Sequence, residues 1–139
     1  MSEPTGAGLV GALLERDQFS RWLGIRLLAL DAGSCTLGMT VREEMVNGFG
    51  IAHGGICYSL ADSALAFASN SRGLAALSIE TAISHIRPLR PGDILRATAR
   101  EKSLTRRLGL YEVTIEKEDG ELVALFRGTV YRKSTPPAL

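Results

Sequence analysis

Asp62 is the one charged residue in the apolar run from residue 55 to residue 70, and His53-Gly54-Gly55 stands at the start of that run. A lone carboxylate among Ala, Leu and Phe is costly to bury unless it is paired or hydrogen-bonded, and a raised pKa is the usual result. Such groups cluster where protons are moved. The plainer alternative is a structural Asp bonded to the neighbouring hydroxyls of Ser59 or Ser63. The glycines suggest a second piece of chemistry. A helix start carries free backbone N–H groups and a partial positive charge. Glycine there lets a carbonyl oxygen come close, which would stabilise an oxyanion.

Gly55 and Asp62 are seven residues apart, so on a helix they share a face about 10 Å apart along the axis. That is too far for both to touch one carbonyl. Two chains with antiparallel helices would bring each Gly55 to the partner's Asp62, a pairing the spacing permits but does not require. His53 is either a structural hydrogen-bonder that holds the loop or a group that polarises a substrate carbonyl. Asn47 precedes Gly48 and is either a plain turn residue or one whose amide orients water or substrate. Cys57 has no activating base beside it in sequence and reads as packing.

The elements that must position these residues follow from periodicity. Residues 55–70 contain no proline and carry Ala61, Ala64, Ala66 and Ala68, so they are expected to form a long helix. It is apolar around most of its circumference, as a buried helix is. Asn70 or Gly73 would cap it in the left-handed conformation. Residues 44–55 are glycine-rich and read as a loop. Leu9, Leu13, Leu14, Phe19, Trp22 and Leu23 suggest one or two short helical turns closed by Gly24. Residues 25–31, 35–41, 75–86, 94–103, 108–116 and 122–131 read as strands, with a hairpin signal at Asp119-Gly120. Consecutive short connections imply an antiparallel sheet and an α+β class. All 139 residues are expected to form one domain, with loose ends at residues 1–6 and 134–139.

Composition removes several function classes. The net charge of +1 gives no basic face for nucleic acid. Cys35 and Cys57 stand in no metal-ligand spacing, so no metal site is expected, and two cysteines make no disulfide scaffold. No run reaches the roughly 18–20 apolar residues of a membrane span, and no signal-peptide pattern opens the chain. The expected location is the cytoplasm.

Taken together, Asn47-Gly48, His53-Gly54-Gly55, Ser59-Leu60-Ala61-Asp62, Ala68-Ser69-Asn70-Ser71, Arg87-Pro88 and 122–128 (Leu-Val-Ala-Leu-Phe-Arg-Gly) resemble the hotdog-fold thioesterases of the phenylacetate-degradation (PaaI) type. The resemblance spans roughly residues 18–132. It implies a hotdog fold, an antiparallel sheet of about six strands wrapped around one long helix. It also implies a homodimer with a continuous sheet and active sites at its interface, paired again into a homotetramer. The substrate would be an acyl-coenzyme A thioester, such as a (hydroxy)phenylacetyl or medium-chain acyl-CoA, and no cofactor would be needed. Asp62 matches the family's base or nucleophile, Gly55 its carbonyl-polarising N–H, Asn47 its loop Asn and His53 its His before the glycines; Gly54 would join in binding. Ser78 resembles a serine found near the catalytic water in related animal enzymes, or is an ordinary strand serine. The phosphates of coenzyme A need cations. Arg72, Arg87, Arg90, Arg106 and Arg107 are the candidates, with Arg106-Arg107 favoured because family members often place basic residues there. Trp22, Phe49, Ile51 and Tyr58 are candidates for the acyl pocket. The competing readings are a non-catalytic acyl-CoA-binding module and a hotdog hydratase, although the chain has no second acid beside His53.

Overall fold

The computed structural model describes residues 6–139, so most of the loose start expected at residues 1–6 lies outside the described residues. The N-terminal turns form two helices, α1 (Gly6–Arg16) and α2 (Gln18–Leu23). Asp17 caps α2 by accepting from the Ser20 N–H, and Gly24 closes it in the left-handed conformation, as the sequence predicts. β1 (Arg26–Asp31) and β2 (Ser34–Thr40) follow, then a short 3₁₀ turn at Glu43–Met45 and the long helix α3 (Gly54–Asn70). β3 (Ala76–His85), β4 (Ile94–Leu104), β5 (Leu108–Lys117) and β6 (Leu122–Arg132) complete the chain. None of the described helices is long and apolar enough to cross a membrane.

The six strands form one antiparallel sheet in the order β1-β2-β4-β5-β6-β3. β4, β5 and β6 are the hairpin-linked run that the short connections predict. β3 departs from it: it pairs with β6 and not with β4, whose two edges are taken by β2 and β5. Crossing three strand spacings takes about 14 Å. The eight-residue link 86–93 reaches further than that even when partly folded. Pro88 and Pro91 keep it from closing as a tight hairpin, and Leu89 buries itself beneath the sheet on the way. β3 therefore lies at an edge with one side unpaired.

The sheet wraps α3 because period-2 burial places its apolar side chains on the helix side. Cys35, Leu37 and Met39, then Leu95, Ala97 and Ala99, then Tyr111, Val113 and Ile115 are all buried. Contact is closest at Gly128, where a Cβ would stand 2.5 Å from Leu65 Cδ2. A side chain there would require Leu65 to shift.

The far end of α3 is fastened by side chains. Its C-cap is Ser71, in the right-handed conformation, and Gly73 carries the left-handed turn two residues later. The Asn70 amide is spent differently from the expected cap. It donates to the Ala76 carbonyl and accepts the Ala76 N–H, both at 3.1 Å, which splices α3 to β3. Beyond β6, the Thr135 carbonyl accepts the Ala75 N–H at 3.3 Å, so the start of the expected C-terminal tail lies against the body.

Candidate active site

The sheet does not cover α3 completely. Gly55, Tyr58, Ser59, Asp62 and Ala66 remain open or half-open, while Leu60, Ala61, Ala64, Leu65, Phe67 and Ala68 are buried. Steps of three and four residues make the uncovered positions one stripe along the helix. The apolar helix thus leaves bare the strip that holds its only carboxylate and its glycine start.

At the start of α3, His53 is the N-cap, and its Nδ1 accepts the Gly55 N–H at 2.9 Å. An accepting Nδ1 requires the neutral imidazole with its proton on Nε2. Both glycines lie close to a histidine ring. A Cβ on Gly55 would stand 3.1 Å from His53 Nδ1, and a Cβ on Gly54 would stand 3.2 Å from His85 Nε2. The bond to His53 changes the expected role of Gly55, whose N–H is engaged within its own chain. The Gly54 N–H has no acceptor among the described residues and opens onto a cleft of about 330 Å³.

That cleft is walled by Asn47, His53, Gly54, His85 and Arg87, over an apolar floor that includes Ile51, Cys57 and Leu89. Asn47 Oδ1 accepts the Phe49 N–H at 2.9 Å, which shapes the loop and leaves the amide NH₂ without an acceptor among the described residues. Burial pushes the Cys57 thiol up to about 11, which keeps it protonated and makes it packing rather than a nucleophile. Arg87 is exposed, 3.6 Å from Glu121.

Asp62 lies two turns along the stripe and does not line this cleft. No side chain or N–H among the described residues donates to its carboxylate, so the alternative of a structural Asp held by Ser59 or Ser63 does not hold. Ser63 bonds Ser20 instead, at 2.7 Å. Burial pushes the Asp62 carboxyl above the usual carboxylate range, and the negative charge of Asp17 adds to the effect.

Other expected site residues are dispersed. Ser78 is exposed on the free edge strand, at the β-bulge between Ser78 and Glu80. Arg72 is held bidentately by Glu101, at 2.9 and 2.8 Å, beyond the far end of α3, and is not free for phosphate. Arg106 and Arg107 occupy the turn between β4 and β5, where Arg106 is exposed. Of the expected acyl-pocket residues, Ile51 lines the cleft and Tyr58 lies on the open stripe, bonded to the Thr81 hydroxyl. Phe49 projects from the loop at 90% exposure, and Trp22 stacks on Phe19 at 6.2 Å.

Two neighbours of the site escape a reading by motif. His85 closes the cleft from β3, and its only sequence signal is to be the second of two histidines. Asp17 stands 45 positions before Asp62, and its only signal is the Asp-x-x-Ser start of a short helix.

Comparison with known proteins agrees with this fold. The profile of the thioesterase superfamily matches residues 49–124, which include the second half of the loop, all of α3 and most of the cleft lining. The chain is 40% identical to the acyl-coenzyme A thioesterase PaaI of Escherichia coli over 121 residues, 87% of this chain and 86% of that one. The solved structure of the E. coli PaaI protein superposes with a TM-score of 0.92, covering 97% of this chain and 99% of the other at 37% identity. The phenylacetic acid degradation protein PaaI of Thermus thermophilus matches with a TM-score of 0.81 at 43% identity, covering 84% of this chain and all of that one. Human acyl-coenzyme A thioesterase 13 is 30% identical over 125 residues, 87% of this chain and 89% of the human one. The sheet wrapped around one helix is the hotdog fold, and the chain belongs to the thioesterase superfamily, alongside its PaaI-type members.

Proposed function

We propose that the chain hydrolyses acyl-coenzyme A thioesters at sites shared between two subunits, with Asp62 of one chain acting on a carbonyl held at the start of α3 of the other. The observation that carries this reading is the open stripe. It presents an unpartnered carboxylate and a helix start on one face, two turns apart, beside an edge strand whose outer side is unpaired. A second copy joined along β3 supports both at once: it completes the sheet and brings the two chemical halves together. Further pairing of dimers into a tetramer belongs to the same proposal.

The reaction needs few groups. The thioester carbonyl oxygen accepts from the Gly54 N–H and from His53 Nε2–H, with the Gly55 N–H joining if His53 releases it. One donor of this kind contributes on the order of 3 kcal/mol. The ionised Asp62 takes a proton from water as the water oxygen attacks the carbonyl carbon. The tetrahedral intermediate collapses, its C–S bond breaks, and the departing thiolate receives the proton from Asp62. In the variant path Asp62 attacks directly, and water then opens the mixed anhydride. The Asn47 amide orients the water or the carbonyl, and Ser78 of the edge strand joins the water site across the interface. Protein groups suffice, so no metal or cofactor is invoked.

Arg87, with Arg106 and Arg107, is assigned to the coenzyme A phosphates; Arg72, already paired with Glu101, is not. The apolar floor fits an aryl or medium-length acyl group, with (hydroxy)phenylacetyl-CoA the first choice. Two unpaired buried cysteines suit a reducing, cytoplasmic setting.

A panel of arylacetyl-, alkanoyl- and enoyl-CoA, followed with a thiol reagent, tests the assignment. Release of one thiol per thioester consumed is the expected result, fastest with the arylacetyl substrates. Binding without thiol release would instead make the protein an acyl-CoA-binding module. Hydration of the enoyl group with the thioester intact would make it a hydratase.

A further inference from the structure

Asp17 is more than the cap of a six-residue helix. Its Oδ1 accepts the Ser20 N–H at 2.9 Å, and its Oδ2 accepts from Ser20 Oγ at 2.7 Å. Ser20 Oγ lies 2.7 Å from Ser63 Oγ, and both serines are buried. The single hydroxyl proton of Ser20 goes to the carboxylate, so Ser63 is the donor in that pair. A charge is thereby fixed in orientation and tied by two short bonds to the residue that follows Asp62.

We infer that Asp17 is a positioning residue of the active site: through Ser20 and Ser63 it fixes a second negative charge against the turn of α3 that carries Asp62, and so contributes to the pH dependence of the reaction. The inference rests on the proposed role of Asp62. Burial makes Asp62 hold its proton to a higher pH, and the second negative charge adds to that effect. A stronger base results, and a carboxylate base gains in proton transfer as its pKa approaches the working pH.

Among the described residues of the chain, few charges approach α3. α1 brings Glu15 and Arg16 at its exposed end, and α2 brings Asp17 and Arg21, whose guanidinium bonds the Glu15 carbonyl. β2 brings the buried thiol of Cys35. β4 and β5 bring Glu101 and Tyr111, bonded to each other at 2.8 Å beside Arg72. β3 brings Glu80 and His85 along the free edge, and β6 turns Arg127 away from the helix. Burial raises the Asp62 carboxyl first, and of these charges that of Asp17 adds to it.

The test is the pH profile of kcat/KM for Asp17→Asn. Asn is as good a helix cap as Asp. Its amide can donate to Ser20 Oγ while Ser20 donates to Ser63, so the chain of bonds reverses without losing a member. Asp17→Ser, also a good cap and uncharged, is the second variant. Both should keep the thermal midpoint close to that of the parent. Both should carry the acid limb to lower pH, with a plateau a few-fold lower. An acid limb that stays in place or moves to higher pH in both variants overturns the inference. Asp62→Asn, run in parallel, separates the two layers of argument. If it turns over as fast as the parent, the role of Asp62 falls and the inference falls with it. If it is silent while the limb of Asp17→Asn is unmoved, only the role of Asp17 is lost.

Discussion

Asp62→Asn is expected to lower kcat/KM for acyl-CoA by about 10²–10⁴-fold while substrate still binds, because a carboxylate base supplies acceleration of that order. The same change should make the protein more stable at neutral pH. The sign follows from linkage. Burial, and then the charge of Asp17, raise the Asp62 pKa in the folded chain above its unfolded value. Between those two values the folded state binds more protons than the unfolded state, so stability falls as pH rises through that window. Above it, an ionised Asp62 is a net cost to the fold, and a neutral amide of the same shape removes that cost. Thermal melts of the two proteins at pH 7 and at pH 4 check this. The variant's advantage should be present at pH 7 and shrink at pH 4. A variant that is inactive and also less stable at pH 7 would point to a structural Asp62 instead.

The second large effect concerns the free edge. Leu77 and Ile79 on β3 are each 62% exposed, a large apolar area for a strand that also has unpaired backbone groups. Lysine at both positions places two charges where the proposed partner strand would lie, the usual device against edge pairing. Leu77→Lys/Ile79→Lys is expected to give a folded monomer, judged by sedimentation and circular dichroism, with activity reduced by at least about 10²-fold because base and oxyanion donors no longer meet. The substitutions touch neither Asp62 nor the cleft. A fully active monomer would show that the edge has no part in catalysis.

Much of this was legible in the sequence, for identifiable reasons. Period-2 burial in residues 35–41, 94–103 and 108–116 reflects a sheet with one wet face, and that pattern is local. The alanine-rich run of α3 is also local. The place of β3 at the far edge was not legible, because pairing is decided by which edges β4 has left, a property of the whole sheet. At the site, Asn47, His53, Gly54 and Asp62 sit close enough in sequence to read as a group. His85 and Asp17 do not, since β3 and α2 carry them in from distant parts of the chain. The bond from Gly55 to His53 was hidden for another reason. Spacing locates an N–H but not the acceptor that a neighbouring side chain places on it.

The open stripe of α3 has one more consequence. In the proposed arrangement its two chemical halves belong to one helix yet serve two different sites, so each chain would lend its carboxylate to one site and its glycine start to the other. A chain damaged at Asp62 and a chain damaged at Gly54 are therefore not equivalent cripples. When the two are refolded together, half of the assorted pairs are heterodimers. In each of these, one site collects both defects and the other collects none. Two dead proteins can thus restore activity by exchange of subunits, up to about a quarter of that of the same number of undamaged sites.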